Sequence, residues 1–141
     1  MNNSDVPFQV FIKKQGYSLT QQRQFVFDLL INQEPLTMSE LISKTKNKID
    51  RASVYRIIDL FEKLGIVQRL NIGWKYKIEL SDKFADHHHH LSCQRCGRVI
   101  PINEKSLENF INQLVKQYNF SARSHQIEIQ GLCGTCKENS T

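Results

Sequence analysis

The stretch 51–78, RASVYRIIDLFEKLGIVQRLNIGWKYKI, changes its hydrophobic period once, and that change decides the fold. Up to residue 64 the apolar residues Val54, Ile57, Ile58, Phe61 and Leu64 fall on one face at helical spacing, and Gly65 supplies the stop. The other face carries Arg51, Ser53, Tyr55, Arg56, Asp59 and Lys63. After the glycine, 66–70 and 74–78 alternate as two strands joined through Asn71-Ile72-Gly73. An exposed Tyr beside Arg near a helix start suits major-groove reading: Arg binds phosphate or guanine, and the ring packs on thymine methyl groups.

Upstream, three shorter helices are expected. Pro7 with Phe8, Phe11 and Ile12 opens the first, and Gly16 ends it. Thr20 caps a second, which carries Phe25, Val26, Leu29 and Leu30. Thr37 caps a third, with Glu40 completing a capping box and Met38, Leu41 and Ile42 turned inward. Helices, a recognition helix and then a hairpin make a winged helix-turn-helix. The same pattern also suits a small helical domain whose charges are merely solvated.

Downstream, Cys93-x-x-Cys96 and Cys133-x-x-Cys136 have the spacing of two zinc knuckles. Four thiolates close a tetrahedral shell, which is how structural zinc is held. The 36 residues between Cys96 and Cys133 must enclose a whole element. Leu107, Phe110, Ile111, Leu114, Val115 and Tyr118 supply a helix, read as capped by Asn103. Strands are expected at 87–92, 99–102 and 125–132, with the zinc tying two sheet regions together.

The histidine run 87–90 precedes the first knuckle. In an extended chain His87 and His89 point to one side, and His88 and His90 to the other. His125 shares the interior parity of its strand, and Glu108 borders the apolar face of the helix. His87, His89, Glu108 and His125 therefore form a candidate nitrogen-rich metal site. His88 and His90, with Asp82, Glu79 or Asp86 nearby, form a possible second site. No His-Glu-x-x-His and no deaminase signature is present, so no catalytic residues are assigned.

Composition agrees with a division near residue 82. Residues 1–80 hold 12 Lys+Arg and 8 Asp+Glu, net +4, whereas 81–141 hold 7 and 6, net +1. All four cysteines and all five histidines lie in the second part. Two parts of a 141-residue chain each bury only about 60% of their unfolded surface, so a metal staple is expected. The expected boundaries are 1–82 for a DNA-binding domain and 83–141 for a metal-binding one, with Ser81 to Asp86 as linker. The longest apolar run is broken by Asp28, far short of a membrane span. Met1 to Pro7 lacks the basic and apolar regions of a secretory signal, which leads to an expectation of a cytoplasmic protein with reduced thiols.

Four segments together closely resemble the ferric uptake regulator family of metal-sensing repressors. They are Leu19-Thr20-Gln21-Gln22-Arg23, Ala52-Ser53-Val54-Tyr55-Arg56, the run from His87 to Gly97, and Gly131-Leu132-Cys133-Gly134-Thr135-Cys136. The resemblance covers nearly the whole chain. It implies an α+β fold: an N-terminal winged helix-turn-helix domain, then a small α/β dimerisation domain with a structural zinc. It also implies a homodimer on a palindromic double-stranded operator, with bound metal as corepressor of metal-uptake genes. By resemblance Tyr55 contacts bases and Arg56 phosphate, with Arg51, Ser53 and Arg23 completing the DNA-contacting set. The family's sensing site at the domain junction maps onto His87, His89, Glu108 and His125, where His89 stands in place of a frequent Asp. Two ligands of its other site fall at Pro35 and Pro101, and its minor-groove lysine falls at Ser18. Three imidazoles and one carboxylate suit Zn(II), with Fe(II) or Mn(II) as alternatives. A zinc-buffering or metal-delivery protein that binds no DNA, or a small metallohydrolase, would use the same ligands.

Overall fold

The computed structural model describes residues 7–139. The segment 1–6, read above as lacking a secretory signal, lies outside the described residues. The chain forms two compact units, one ending at Asp86 and the other starting at His87.

In the first unit α1 (Phe8–Lys14), α2 (Gln21–Leu30), α3 (Met38–Thr45) and α4 (Arg51–Lys63) precede the hairpin β1 (Val67–Ile72) and β2 (Lys75–Leu80). The caps hold the helix starts in place. Thr20 accepts from the Arg23 amide at 3.1 Å. Thr37 and Glu40 close the expected capping box, with bonds of 3.1 and 3.2 Å. Each such cap is worth about 1 kcal/mol because it satisfies an amide the helix leaves unpaired. Asp50 caps α4 by accepting from the Ser53 amide at 3.1 Å, a role that escaped the sequence reading. The helices enclose a core in which Ile12, Val26, Leu41, Val54 and Phe61 are fully buried.

Two sequence expectations are corrected here. Asn71 and Ile72 do not form the hairpin turn; they pair with Tyr76 and Lys75, and the turn is Gly73-Trp74. Gly73 has φ +63°, a left-handed conformation that tight hairpins require and glycine adopts without strain. The presumed linker 81–86 is also not a free tether. Phe84 is buried in the first unit's core, edge-on to Phe8, Phe11 and Phe27. The Ser81 hydroxyl donates to the Gly65 carbonyl at 2.6 Å. A further pairing, invisible in the sequence, joins Leu36 to Ile78 through two backbone hydrogen bonds of 2.9 and 2.7 Å.

The second unit is one sheet in the order β4-β3-β5. Its strands are β3 (His89–Cys93), β4 (Val99–Ile102) and β5 (Glu128–Gly131), with α5 (Lys105–Gln117) between β4 and β5 and the short α6 (Gly134–Glu138) last. β3 pairs antiparallel with β4 and parallel with β5. The expectation of two sheet regions tied by zinc is therefore corrected: both flanks of α5 hydrogen-bond to the same central strand. The first and last of these strands start later than expected, since His87 and His88 precede β3 and residues 125–127 precede β5, whereas β4 has its expected bounds. Glu104, not Asn103, occupies the N-cap of α5, and it makes no side-chain cap. The apolar stripe of α5 is unburied within the chain, with Phe110 and Tyr118 well exposed. No described helix is long and apolar enough to cross a membrane.

Candidate metal centres and nucleic-acid interface

The four cysteines converge as their spacing implies. β3 ends at Cys93, and Gly97 at φ +78° turns the chain back so that its amide bonds the Cys93 carbonyl at 3.0 Å. Cys133 sits at the start of α6, which brings Cys136 round by one turn. All four Sγ atoms lie within 4.8 Å of one another, and Cys96 and Cys133 are 3.8 Å apart. A tetrahedron with Zn–S bonds of about 2.3 Å has an edge of about 3.8 Å, so the set fits structural zinc. The electrostatics favour thiolate at one end of the cluster. Donation from the Cys96 amide, then the Cys133 amide, lowers Cys93 to about 5. Burial, then hydrogen bonding with the neighbouring cysteines, pushes Cys136 up to about 12.

The second cluster is built by the sheet and α5 together. Glu108 lies in the first turn of α5 and reaches two rings at once. Its Oε1 is 2.6 Å from His89 Nε2, and its Oε2 is 2.6 Å from His125 Nε2. His87 Nε2 stands 3.1 Å from His125 Nε2 and 3.4 Å from Glu108 Oε1. The four donor atoms lie within 4.8 Å of one another, so all four residues singled out in the sequence are brought together. With metal–nitrogen bonds of about 2.0–2.1 Å, a tetrahedral edge is about 3.3 Å, close to the His87 separations. Partial burial opposes ionisation of Glu108. Hydrogen bonds from His89 and His125, with the charges of His125 and His87, nonetheless hold its carboxyl below the usual carboxylate range.

His89 is completely buried, and its other ring nitrogen is also engaged: the Ile127 amide donates to Nδ1 at 3.0 Å. Because that amide is a fixed donor, Nδ1 accepts, and the ring proton of neutral His89 sits on Nε2, facing Glu108. Sequence parity gives no hint of this contact, which depends on β5 lying parallel to β3. Of the other candidates, His88 and His90 stack edge to face with centroids 4.8 Å apart. Pro101 lies opposite His90 on β4 and offers no side-chain ligand. Glu79 and Asp82 belong to the amino-terminal unit, where Glu79 is buried and accepts from Gln68 Nε2 at 2.6 Å.

The expected DNA-contacting residues separate into two groups. Arg23, Ser53 and Arg56 line a groove of about 340 Å³ between the start of α2 and α4, together with Tyr17, Thr20 and Gln22, which the sequence reading had not included. Arg23 is steadied there by donating to the Ser18 carbonyl at 2.6 Å and by lying 5.8 Å from the Tyr17 ring centroid. The Ser53 hydroxyl donates to Asp50 at 2.6 Å, so it serves the helix start as well as the groove. Tyr55 and Arg51 form the second group, both exposed, with the guanidinium 5.9 Å from the ring centroid. A cationic groove at a helix start suits phosphate, and an exposed Tyr–Arg pair suits base edges.

These features have counterparts in known proteins. A family model described as the ferric uptake regulator family matches residues 14–130. The ferric uptake regulation protein of Bacillus subtilis (strain 168) is 31% identical over 141 residues, spanning 92% of this chain and 95% of its own. That of Vibrio anguillarum is 33% identical over 138 residues, spanning 91% and 90%. The solved structure of the Helicobacter pylori ferric uptake regulator superposes with a TM-score of 0.74 at 28% identity, covering 92% of this chain and 89% of that one. The chain belongs to the ferric uptake regulator family, whose members are dimeric, metal-responsive, DNA-binding regulators of transcription and not enzymes.

Proposed function

We propose that this regulator is a cytoplasmic repressor that senses zinc at His87, His89, Glu108 and His125 and uses the bound metal as corepressor. The observation that carries the reading is the convergence of three imidazoles on one carboxylate within 4.8 Å. Such a nitrogen-rich donor set favours Zn(II) over Fe(II) in affinity. His87 directly follows Asp86, the last residue of the amino-terminal unit. Ligation there restrains the connection to the DNA-binding unit along with β3, α5 and the approach to β5.

In this reading the unit ending near residue 82–86 binds DNA through Tyr55, Arg56, Arg51, Ser53 and Arg23. The remainder holds metal and dimerises. The exposed α5 stripe of Phe110, Leu114 and Tyr118 is the surface a second copy covers. A two-fold dimer places its recognition helices on a palindromic operator with half-sites about 34 Å or a multiple apart. Metal acts by binding the DNA-competent arrangement more tightly than the others.

Iron is the second reading, favoured by the names of the Bacillus subtilis and Vibrio anguillarum relatives, which refer to ferric uptake. An operator-binding titration at buffered free Zn(II), Fe(II) and Mn(II) separates the two. Zinc sensing requires operator binding to appear at the lowest free concentration with Zn(II) and to be lost in H125A. Activation by Fe(II) alone overturns the zinc assignment, and DNA binding indifferent to every metal overturns corepression.

A further inference from the structure

The groove between the start of α2 and α4 is lined by more than a phosphate contact uses. Arg23 and Arg56 supply two cations, and no acidic side chain is part of the lining. Arg23 is half-buried and already oriented, because its guanidinium donates to the Ser18 carbonyl at 2.6 Å and lies against the Tyr17 ring. Neither of these partners is anionic. The Thr20 oxygen accepts from the Arg23 amide, so its hydroxyl can still donate to a ligand. The rest of the lining is apolar: Ile57 is buried at 7% exposure, and Leu60, one turn further along α4, is half-buried.

A backbone phosphate needs only the cations and donors, since such contacts fix position through charge and hydrogen bonds. The apolar floor has no part in that. At about 340 Å³ the groove falls within the roughly 300–1,000 Å³ of small-molecule pockets. Guanidinium groups bond a planar carboxylate through two parallel N–H donors, and that pairing is stronger than a neutral hydrogen bond. Water over Ile57 and Leu60 is displaced favourably by an apolar body. Two cations beside an apolar floor therefore select a molecule that is anionic at one end and apolar at the other.

We propose that this groove is a regulatory site for a small organic acid, whose carboxylate bonds Arg23 and Arg56 and whose apolar body covers Ile57 and Leu60. Occupancy withdraws both arginines from DNA, so the acid competes with the operator. The repressor then has two inputs of opposite sign: metal in the carboxy-terminal unit favours operator binding, and the acid in the amino-terminal unit opposes it. The competitive part of the proposal rests on the DNA-binding reading above.

Metal-loaded full-length protein is titrated with acetate, butyrate, hexanoate and inorganic phosphate at constant ionic strength. Nitrogen NMR follows the Nε–H signals of Arg23 and Arg56, and the anisotropy of a labelled operator duplex follows competition. Hexanoate should move both signals and displace the operator, and each methylene added to acetate should tighten binding by about fourfold. L60Q should flatten that dependence on chain length, and if L60Q fails to fold the wild-type series decides. Affinity independent of chain length, or inorganic phosphate competing as well as hexanoate, leaves the groove a phosphate contact and overturns the proposal. Binding that leaves both arginine signals unmoved, or hexanoate bound together with the operator, also overturns it. Wild type that binds no operator overturns the underlying DNA-binding reading instead, while the arginine signals still test the acid site, so the two failures are distinguishable.

Discussion

The Ile127 amide donates to His89 Nδ1 at 3.0 Å while His89 Nε2 faces Glu108 Oε1 at 2.6 Å, so one buried ring joins β3, the approach to β5 and α5. A neutral imidazole that ligates metal through Nε2 carries its proton on Nδ1. Both nitrogens then behave differently from the arrangement in hand, and the Ile127 bond must break. Metal loading is thereby coupled to the backbone beside β3. Amide exchange at Ile127 should accelerate on zinc loading even as neighbouring sheet amides slow, and nitrogen NMR should show the His89 proton moving from Nε2 to Nδ1. If Ile127 stays protected in the loaded protein, His89 is a structural residue and the metal is held by His87, Glu108 and His125.

Glu108 is held below the usual carboxylate range although partial burial opposes its ionisation, because His89 and His125 bond its two oxygens. A carboxyl whose folded pKa is depressed contributes stability above its ordinary value of 4.5, and the contribution disappears as pH falls through the folded value. In metal-free protein, wild type should therefore exceed E108Q in stability at neutral pH, with the gap narrowing below pH 4.5 in denaturant titrations. For metal binding, removing one direct anionic ligand should weaken affinity by more than about 100-fold, the upper range for losing even an outer hydrogen bond.

The cysteine cluster should titrate asymmetrically. Amide donation keeps Cys93 near 5, whereas burial and its sulfur neighbours push Cys136 to about 12. At pH 7 zinc then displaces a proton from Cys136 but none from Cys93. Calorimetry in buffers of different ionisation enthalpy should show fewer than four protons released per zinc. C136S should lose one tightly held zinc and the dimer together, as read by metal analysis and sedimentation.

Phe84 tests whether the segment after β2 is a tether or part of the core. A substitution in a solvated linker changes stability by about 0.5 kcal/mol or less. Phe84 is 7% exposed among three other phenylalanines, so F84A should cost about 3–5 kcal/mol in denaturant unfolding of the full chain.

The residues that were readable in advance share a local cause. Thr20 and Thr37 cap helices through amides three residues away, α4 declares itself by a 3.6-residue period, and each Cys-x-x-Cys closes over one turn. The hairpin was displaced because Asn71-Ile72-Gly73 resembles a turn as well as Gly73-Trp74 does, and only pairing across the ladder selects between them. Asn103 failed as a cap because it lies one position too early, a choice that the end of β4 and the start of α5 settle together.

By itself the sequence determined α1 to α5, the knuckles and the alternation of His87 to His90, because these follow from spacing along a few residues. Only the tertiary structure decided that the strands on both sides of α5 share one sheet, that Phe84 closes the amino-terminal core, and that Ile127 donates to His89. The reason is physical. Those outcomes depend on contacts between residues tens of positions apart, and competition among long-range pairings, with its loop entropy and burial, leaves no local period to read.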